Sequence, residues 1–111
     1  MRFFGLKACD TCRKAIKMLT AEGLEFTVVD VRADGVSALD QTQIISEFGD
    51  AAINRASTTW RNLDDAEKAK PIAELLRAHP TLMKRPVIEK DGVWTIGWKA
   101  DVQSQILGET D

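Results

Sequence analysis

Cys9 and Cys12, the two cysteines of the chain, lie three residues apart within Lys7-Ala-Cys-Asp-Thr-Cys-Arg-Lys14. Two sulfurs at this spacing, where an apolar run gives way to a helical one, can do thiol–disulfide chemistry. Cys9 would stand beside unpaired backbone N–H groups and the positive end of the helix dipole. That setting favours the thiolate, which is the nucleophile. Cys12, one turn further on, is within reach of a mixed disulfide formed at Cys9. Arg13 and Lys14 put positive charge in the first turn, against the helix dipole, where it can serve the thiolate or an anionic substrate. Two other uses compete. A zinc site needs four ligands, and His79 is the only other candidate, so no metal is expected. Two buried, inert cysteines are the second alternative. The spacing within a strand–helix context is the redox signature.

The elements that must hold this pair can be read in order. Met1 to Leu6 is strand one, with Phe3-Phe4-Gly5-Leu6 as its apolar run. Thr11 to Glu22 is a helix with Ala15, Ile16 and Leu19 on its core face and Gly23 as its stop. Leu24 to Val31, rich in β-branched residues, is strand two. A strand–helix–strand unit with short links is right-handed, so the two strands should be parallel. From Gly35 to Leu82 no strand is predicted. Ser37 or Asp40 caps a helix carrying Ile44, Ile45 and Phe48 and stopped by Gly49. Asp50-Ala-Ala-Ile53 is a helical turn, and Asn54 to Leu63 is a loop. Short helices start at Asp64 or Asp65 and at Pro71, the latter with Ile72, Leu75 and Leu76 as its stripe. Asp91-Gly92 joins Val87–Lys90 to Val93–Ile96 as a hairpin. A last helix runs from Lys99 to Leu107, ends at Gly108 and is followed by a short acidic tail.

This order, β-α-β, helical insert, β-β-α, is that of an α/β, thioredoxin-like fold: a four-stranded mixed sheet with a helical insertion between strand two and the C-terminal hairpin. At 111 residues the expectation is one domain, 1–111, with a core of about 1–33 and 83–108 and an insert of about 34–82. The Cys loop then falls at the carboxyl end of strand one, where ligands of open α/β sheets bind. The net charge is −2 and the basic residues are scattered, which argues against direct nucleic-acid or membrane-surface binding. No apolar stretch reaches membrane length and no signal-peptide layout opens the chain. A cytoplasmic, monomeric protein is expected, and in a reducing compartment a cysteine pair is catalytic rather than structural.

Three motifs carry a resemblance: Cys9-x-x-Cys12-Arg-Lys-Ala, Asn54-Arg-x-Ser-Thr-Thr-Trp-Arg-x-Leu63 and Lys84-Arg-Pro-Val87. With these in order and at compatible spacing, the sequence resembles the arsenate reductase ArsC / Spx family, and most of all its short YffB-like members. The resemblance implies that Cys9 is the catalytic cysteine. It implies that Arg85 is the arginine before a cis-proline, Pro86, facing the active site. Arg55 matches the insert arginine best, with Arg61 close by. In the arsenate reductases of this family a cysteine thiolate attacks arsenate, and glutathione with glutaredoxin completes the reduction. Two departures mark this chain. Where those enzymes have a third arginine, it offers only Lys99, a poorer fork for an oxyanion. It also has Cys12, and the Cys-x-x-Cys pair is typical of Spx-type regulators, which bind RNA polymerase.

The resemblance therefore implies a glutathione- or glutaredoxin-linked thiol-disulfide oxidoreductase with no bound cofactor. Cys9 attacks, Cys12 or glutathione resolves, and Arg55 and Arg85 hold an oxyanion or a glutathione carboxylate; arsenate is the named candidate substrate. The alternative is a redox-switched regulator binding RNA polymerase. Of the remaining conspicuous residues, Trp60, Trp94 and Trp98 are expected to pack, His79 to meet helix carbonyls, and Asp10 to cap the first helix.

Overall fold

A computed structural model describes residues 1–108; the acidic tail lies outside the described residues. The strands are β1 (Arg2–Gly5), β2 (Thr27–Asp30), β3 (Val87–Lys90) and β4 (Val93–Ile96). The helices are α1 (Asp10–Ala21), α2 (Ala38–Phe48), α3 (Thr58–Arg61), α4 (Asp65–Lys68), α5 (Ile72–Ala78) and α6 (Ala100–Leu107). The strands form one sheet in the order β2-β1-β3-β4. β1 is parallel to β2, and β3 is antiparallel to both β1 and β4. This is the mixed sheet of the thioredoxin-like fold. The chain divides into two compact units: Met1–Asp30 with the chain from Arg85 onward, and Val31–Lys84.

In the first unit, adjacent residues of β1 point to opposite faces of the sheet. Phe3 joins Cys12, Ala15, Leu19, Ile88, Val102 and Ile106 in a buried cluster. The core face of α1 read from the sequence is thus the one that is buried. Phe26 packs at its margin, 6.0 Å from Phe3 between ring centroids. On the opposite face Phe4 stacks on Trp94 at 5.8 Å. The Arg2 guanidinium lies over both rings and donates to Glu89 Oε1 at 3.1 Å. Trp98 packs against the first cluster and donates its indole N–H to Met18 Sδ at 3.4 Å. The hairpin forms where Asp91-Gly92 predicts it. Both residues have positive φ, 52° and 82°, as a type I′ turn requires.

The second unit is helical, closed by an isolated bridge between Ile53 and Met83 and by hydrogen bonds from Asn54 N to Leu82 O and from Lys84 N to Ala52 O, both 2.8 Å. Ser37, Ser57 and Asp64 cap α2, α3 and α4, each accepting a backbone N–H from the first turn. The Ser57 cap corrects the sequence reading. Its hydroxyl accepts from Trp60 N at 3.1 Å and turns part of the expected loop 54–63 into α3. His79 is also corrected: its Nε2 meets Glu67 Oε2 at 3.0 Å and not a helix carbonyl. Glu67, which also pairs with Lys70, is held below the usual carboxylate range first by its hydrogen bond from Lys70 and then by that from His79. Ser37→Ala, which removes the acceptor for Asp40 N, should cost about 1 kcal/mol in urea denaturation. Among the described residues, no helix is long and apolar enough to cross a membrane.

Candidate active site

The site is built where β1 hands over to α1. β1 ends at Gly5, and the Cys9 amide donates to Leu6 O at 3.2 Å, folding the link back on itself. Cys9 is the N-cap of α1, with extended φ and ψ of −85° and 120°, and its carbonyl accepts from Arg13 N at 3.0 Å. The N–H of Cys12, in the first turn of α1, is thereby brought to its sulfur. Asp10 does not cap the helix as expected. It is the first helical residue, and its carboxylate pairs with the Arg13 guanidinium one turn on. Because the cap position is taken by a sulfur, the free N–H groups remain for the thiolate.

The two sulfurs are free and differ sharply. Cys9 is half-buried and Cys12 is completely buried. Burial alone raises the Cys9 pKa, but this is outweighed. The Cys12 backbone N–H, the Cys12 thiol and the Arg85 guanidinium all donate to the Cys9 sulfur, and the charge of Arg85 adds to them, so the net shift is below the ordinary thiol value. Cys12 moves the other way, to about 11. Burial is the leading cause, and the hydrogen bond and charge of the Cys9 thiolate raise it further; a backbone hydrogen bond from the Leu6 region and the Arg85 charge only partly offset them. When neighbouring titratable groups are pushed apart in this way, their roles separate. Cys9 is the more accessible and more acidic sulfur, and Cys12 the buried one that keeps its proton.

Arg85 and Pro86 complete this group. The Arg85–Pro86 bond is cis, as the resemblance implies, and Pro86 is fully buried. Its carbonyl accepts from Gly97 N at 2.8 Å, pinning the start of β3 to the end of β4. Cys9, Cys12, Arg85 and Pro86 thus come together within the first unit. Lys99 is exposed at the N-cap of α6.

Arg55 belongs to the second unit, where it has a setting of its own. It donates to Asp50 O at 3.3 Å, its Nη2 stands 3.7 Å from the Asp50 carboxylate, and its guanidinium lies 5.1 Å over the Trp60 ring. Lys68 approaches the same ring at 5.4 Å. With Asp50, Ile53, Asn54 and Lys84, Arg55 lines a shallow depression of about 460 Å³. Arg61 folds back onto Ala56 O at 2.7 Å. Of the two arginines, Arg55 is therefore the one facing an open, cationic depression. Among the described residues no group of three or more His, Cys, Asp or Glu side chains could hold a metal ion.

Three features escaped the sequence reading: the Cys12 thiol as a donor to Cys9, Asp50 as the partner of Arg55, and the close approach of Gly5 to Cys12. Only the last leaves a trace in the sequence, as a glycine at the end of an otherwise bulky strand.

A thioredoxin-like sheet with a paired thiolate and thiol at the end of its first strand defines the thiol-oxidoreductase class. Within it, the profile of the ArsC family matches residues 4–106, and the chain belongs to that family. An uncharacterized protein of Haemophilus influenzae is 41% identical over 100 residues, covering 86% of this chain and 88% of the relative. The solved structure of a protein named YffB superposes with a TM-score of 0.88 at 35% identity, over 96% of this chain and 97% of its own. An arsenate reductase (ArsC) related protein from Brucella melitensis superposes with a TM-score of 0.73 at 30% identity, over 94% and 91% of the two chains.

Proposed function

We propose that this protein is a glutathione-linked thiol-disulfide oxidoreductase in which Cys9 is the nucleophile and Cys12 the resolving thiol. The observation that carries the reading is the split between the two sulfurs: one half-exposed and acidified, the other buried and kept protonated. With a glutathione mixed disulfide as substrate, the Cys9 thiolate attacks the glutathionyl sulfur. A Cys9–glutathione disulfide forms and the substrate thiolate leaves. Cys12 then loses its proton and attacks Cys9, releasing glutathione and leaving a Cys9–Cys12 disulfide. Alternatively, a second glutathione attacks the glutathionyl sulfur and frees Cys9 as oxidised glutathione departs. Arg85 keeps Cys9 anionic between attacks. Within its own unit, Arg55 offers a charge-assisted contact for an anionic group such as a carboxylate or an oxyanion. Arsenate is the oxyanion substrate to test, with Arg85 as the cationic partner beside Cys9.

The test is NADPH consumption with glutathione, glutathione reductase and glutaredoxin present, offering a glutathione mixed disulfide in one reaction and arsenate in another, with Cys9→Ser as the blank. Turnover on the mixed disulfide that falls to background in the blank is expected. Arsenate-dependent turnover would extend the reading to that oxyanion. No turnover on either, from folded and fully reduced protein, would overturn the enzymatic reading.

A further inference from the structure

The glycines of this chain fall into two groups. Gly23, Gly35, Gly49, Gly92, Gly97 and Gly108 all have positive φ, and a Cβ built on Gly23, Gly35, Gly49, Gly92 or Gly108 would meet nothing within 4 Å. These are glycines for backbone conformation. Gly5 is the reverse. It is a regular strand residue, paired with Asp30 of β2, and its φ is not positive. A Cβ there would lie 2.7 Å from Cys12 Sγ and 2.8 Å from Phe3 Cε1. Any other residue could take this backbone, so the demand for glycine comes from its surroundings.

We propose that Gly5 is a positioning residue for the reactive pair: the missing side chain leaves the space in which the Cys12 sulfur sits, and so keeps that sulfur against Cys9. The geometry allows little give. Ordinary non-bonded contacts fall near 3.5–4.0 Å, so a methyl group here would displace the sulfur by roughly 1 Å. Cys12 is completely buried and packed in the cluster of Phe3, Ala15, Leu19 and Ile88. Phe3 is equally buried and cannot swing away. The movement open to Cys12 is therefore a shift or rotation that breaks the alignment of its S–H with the Cys9 sulfur, one of the contacts that keep Cys9 anionic. A bulkier residue at position 5 would change the chemistry at Cys9 without touching it. The inference rests on Cys9 being the nucleophile and not on any particular substrate.

The test uses the reduced full-length protein with two readouts that need no substrate. Thiolate absorbance near 240 nm is followed against pH in wild type and Gly5→Ala, together with the rate at which iodoacetamide alkylates Cys9 at neutral pH. A rise of about one pH unit in the Cys9 midpoint, with alkylation slowed by up to about tenfold, is expected. In parallel, thermal unfolding is compared for wild type, Gly5→Ala, Cys12→Ala and the double variant. If Gly5 makes room for the sulfur, the alanine costs clearly less stability in the Cys12→Ala background than in wild type. An unchanged midpoint in folded Gly5→Ala would overturn the inference. So would equal losses of stability in the two backgrounds, which would assign the glycine to Phe3 alone. Should Gly5→Ala fail to fold, folding of the double variant would support the inference and its failure would overturn it. A null result in the NADPH assay leaves these readouts intact, so the two readings fail separately.

Discussion

Replacing Arg85 with alanine should raise the Cys9 titration midpoint and slow its reaction at neutral pH by up to about tenfold for each unit of rise. Arg85 acts on Cys9 in two ways, by a hydrogen bond to the sulfur and by its charge. A charge-assisted hydrogen bond contributes about 1.5–3 kcal/mol, and each pH unit corresponds to about 1.36 kcal/mol. Arg85→Lys should fall between, because lysine keeps the charge but loses the planar fork. Alkylation rates of Cys9 across the pH range give the midpoint directly. The linked effect on stability has a definite sign. The Cys9 pKa is depressed in the folded state, so its contribution is present above the unfolded thiol value and is lost as pH falls through the folded value. Removing Arg85 shrinks that contribution. An alkylation profile that does not move in folded Arg85→Ala would show that the N–H groups of α1 and the Cys12 thiol suffice without it.

The readability of this chain follows from which forces are local. β1, α1 and β2 were legible because an apolar run, a 3.6-residue stripe of Ala15, Ile16 and Leu19, and a left-handed Gly23 with φ of 73° each act over a few residues. The hairpin was legible because Asp91-Gly92 specifies its own turn. The family motifs single out Cys9, Arg85 and Pro86, which lie in one unit. The misreadings are of another kind. Asp10 has the composition of a cap, but Cys9 takes the cap position and Arg13 takes the carboxylate. His79 sits at a helix end, yet its partner Glu67 comes from another helix twelve residues away in sequence. The acidity of Cys9 draws on Arg85, seventy-six residues further on by sequence number. Such pairings depend on tertiary packing, and no periodicity reports them. What spacing does fix is geometry: two sulfurs three residues apart at a helix start have few arrangements, and one of them here is buried.

That burial supports the second large effect, a separation of the two roles of Cys12 by two substitutions. Challenged with oxidised glutathione, wild-type protein should pass through a Cys9–glutathione adduct to the internal disulfide. Both Cys12→Ser and Cys12→Ala should stop at the adduct and accumulate it nearly quantitatively, seen by intact mass spectrometry as the addition of one glutathione. The variants should differ in acidity. Serine retains a donor beside Cys9, so its midpoint should stay near wild type, while alanine loses the donor and should titrate higher. They should agree in alkaline stability. The Cys12 thiol is held at about 11, above the ordinary thiol value, so the folded state retains a proton that the unfolded chain gives up. Wild-type stability should therefore fall as pH rises from the ordinary thiol range toward 11, and both variants should lose that part of the slope. Internal disulfide in either variant is chemically excluded, so failure of the adduct to accumulate would mean that Cys9 does not react with oxidised glutathione, which would overturn the mixed-disulfide step. Accumulation of the adduct in the wild-type protein as well would leave Cys12 as a hydrogen-bond donor to Cys9, with turnover by the glutathione route alone.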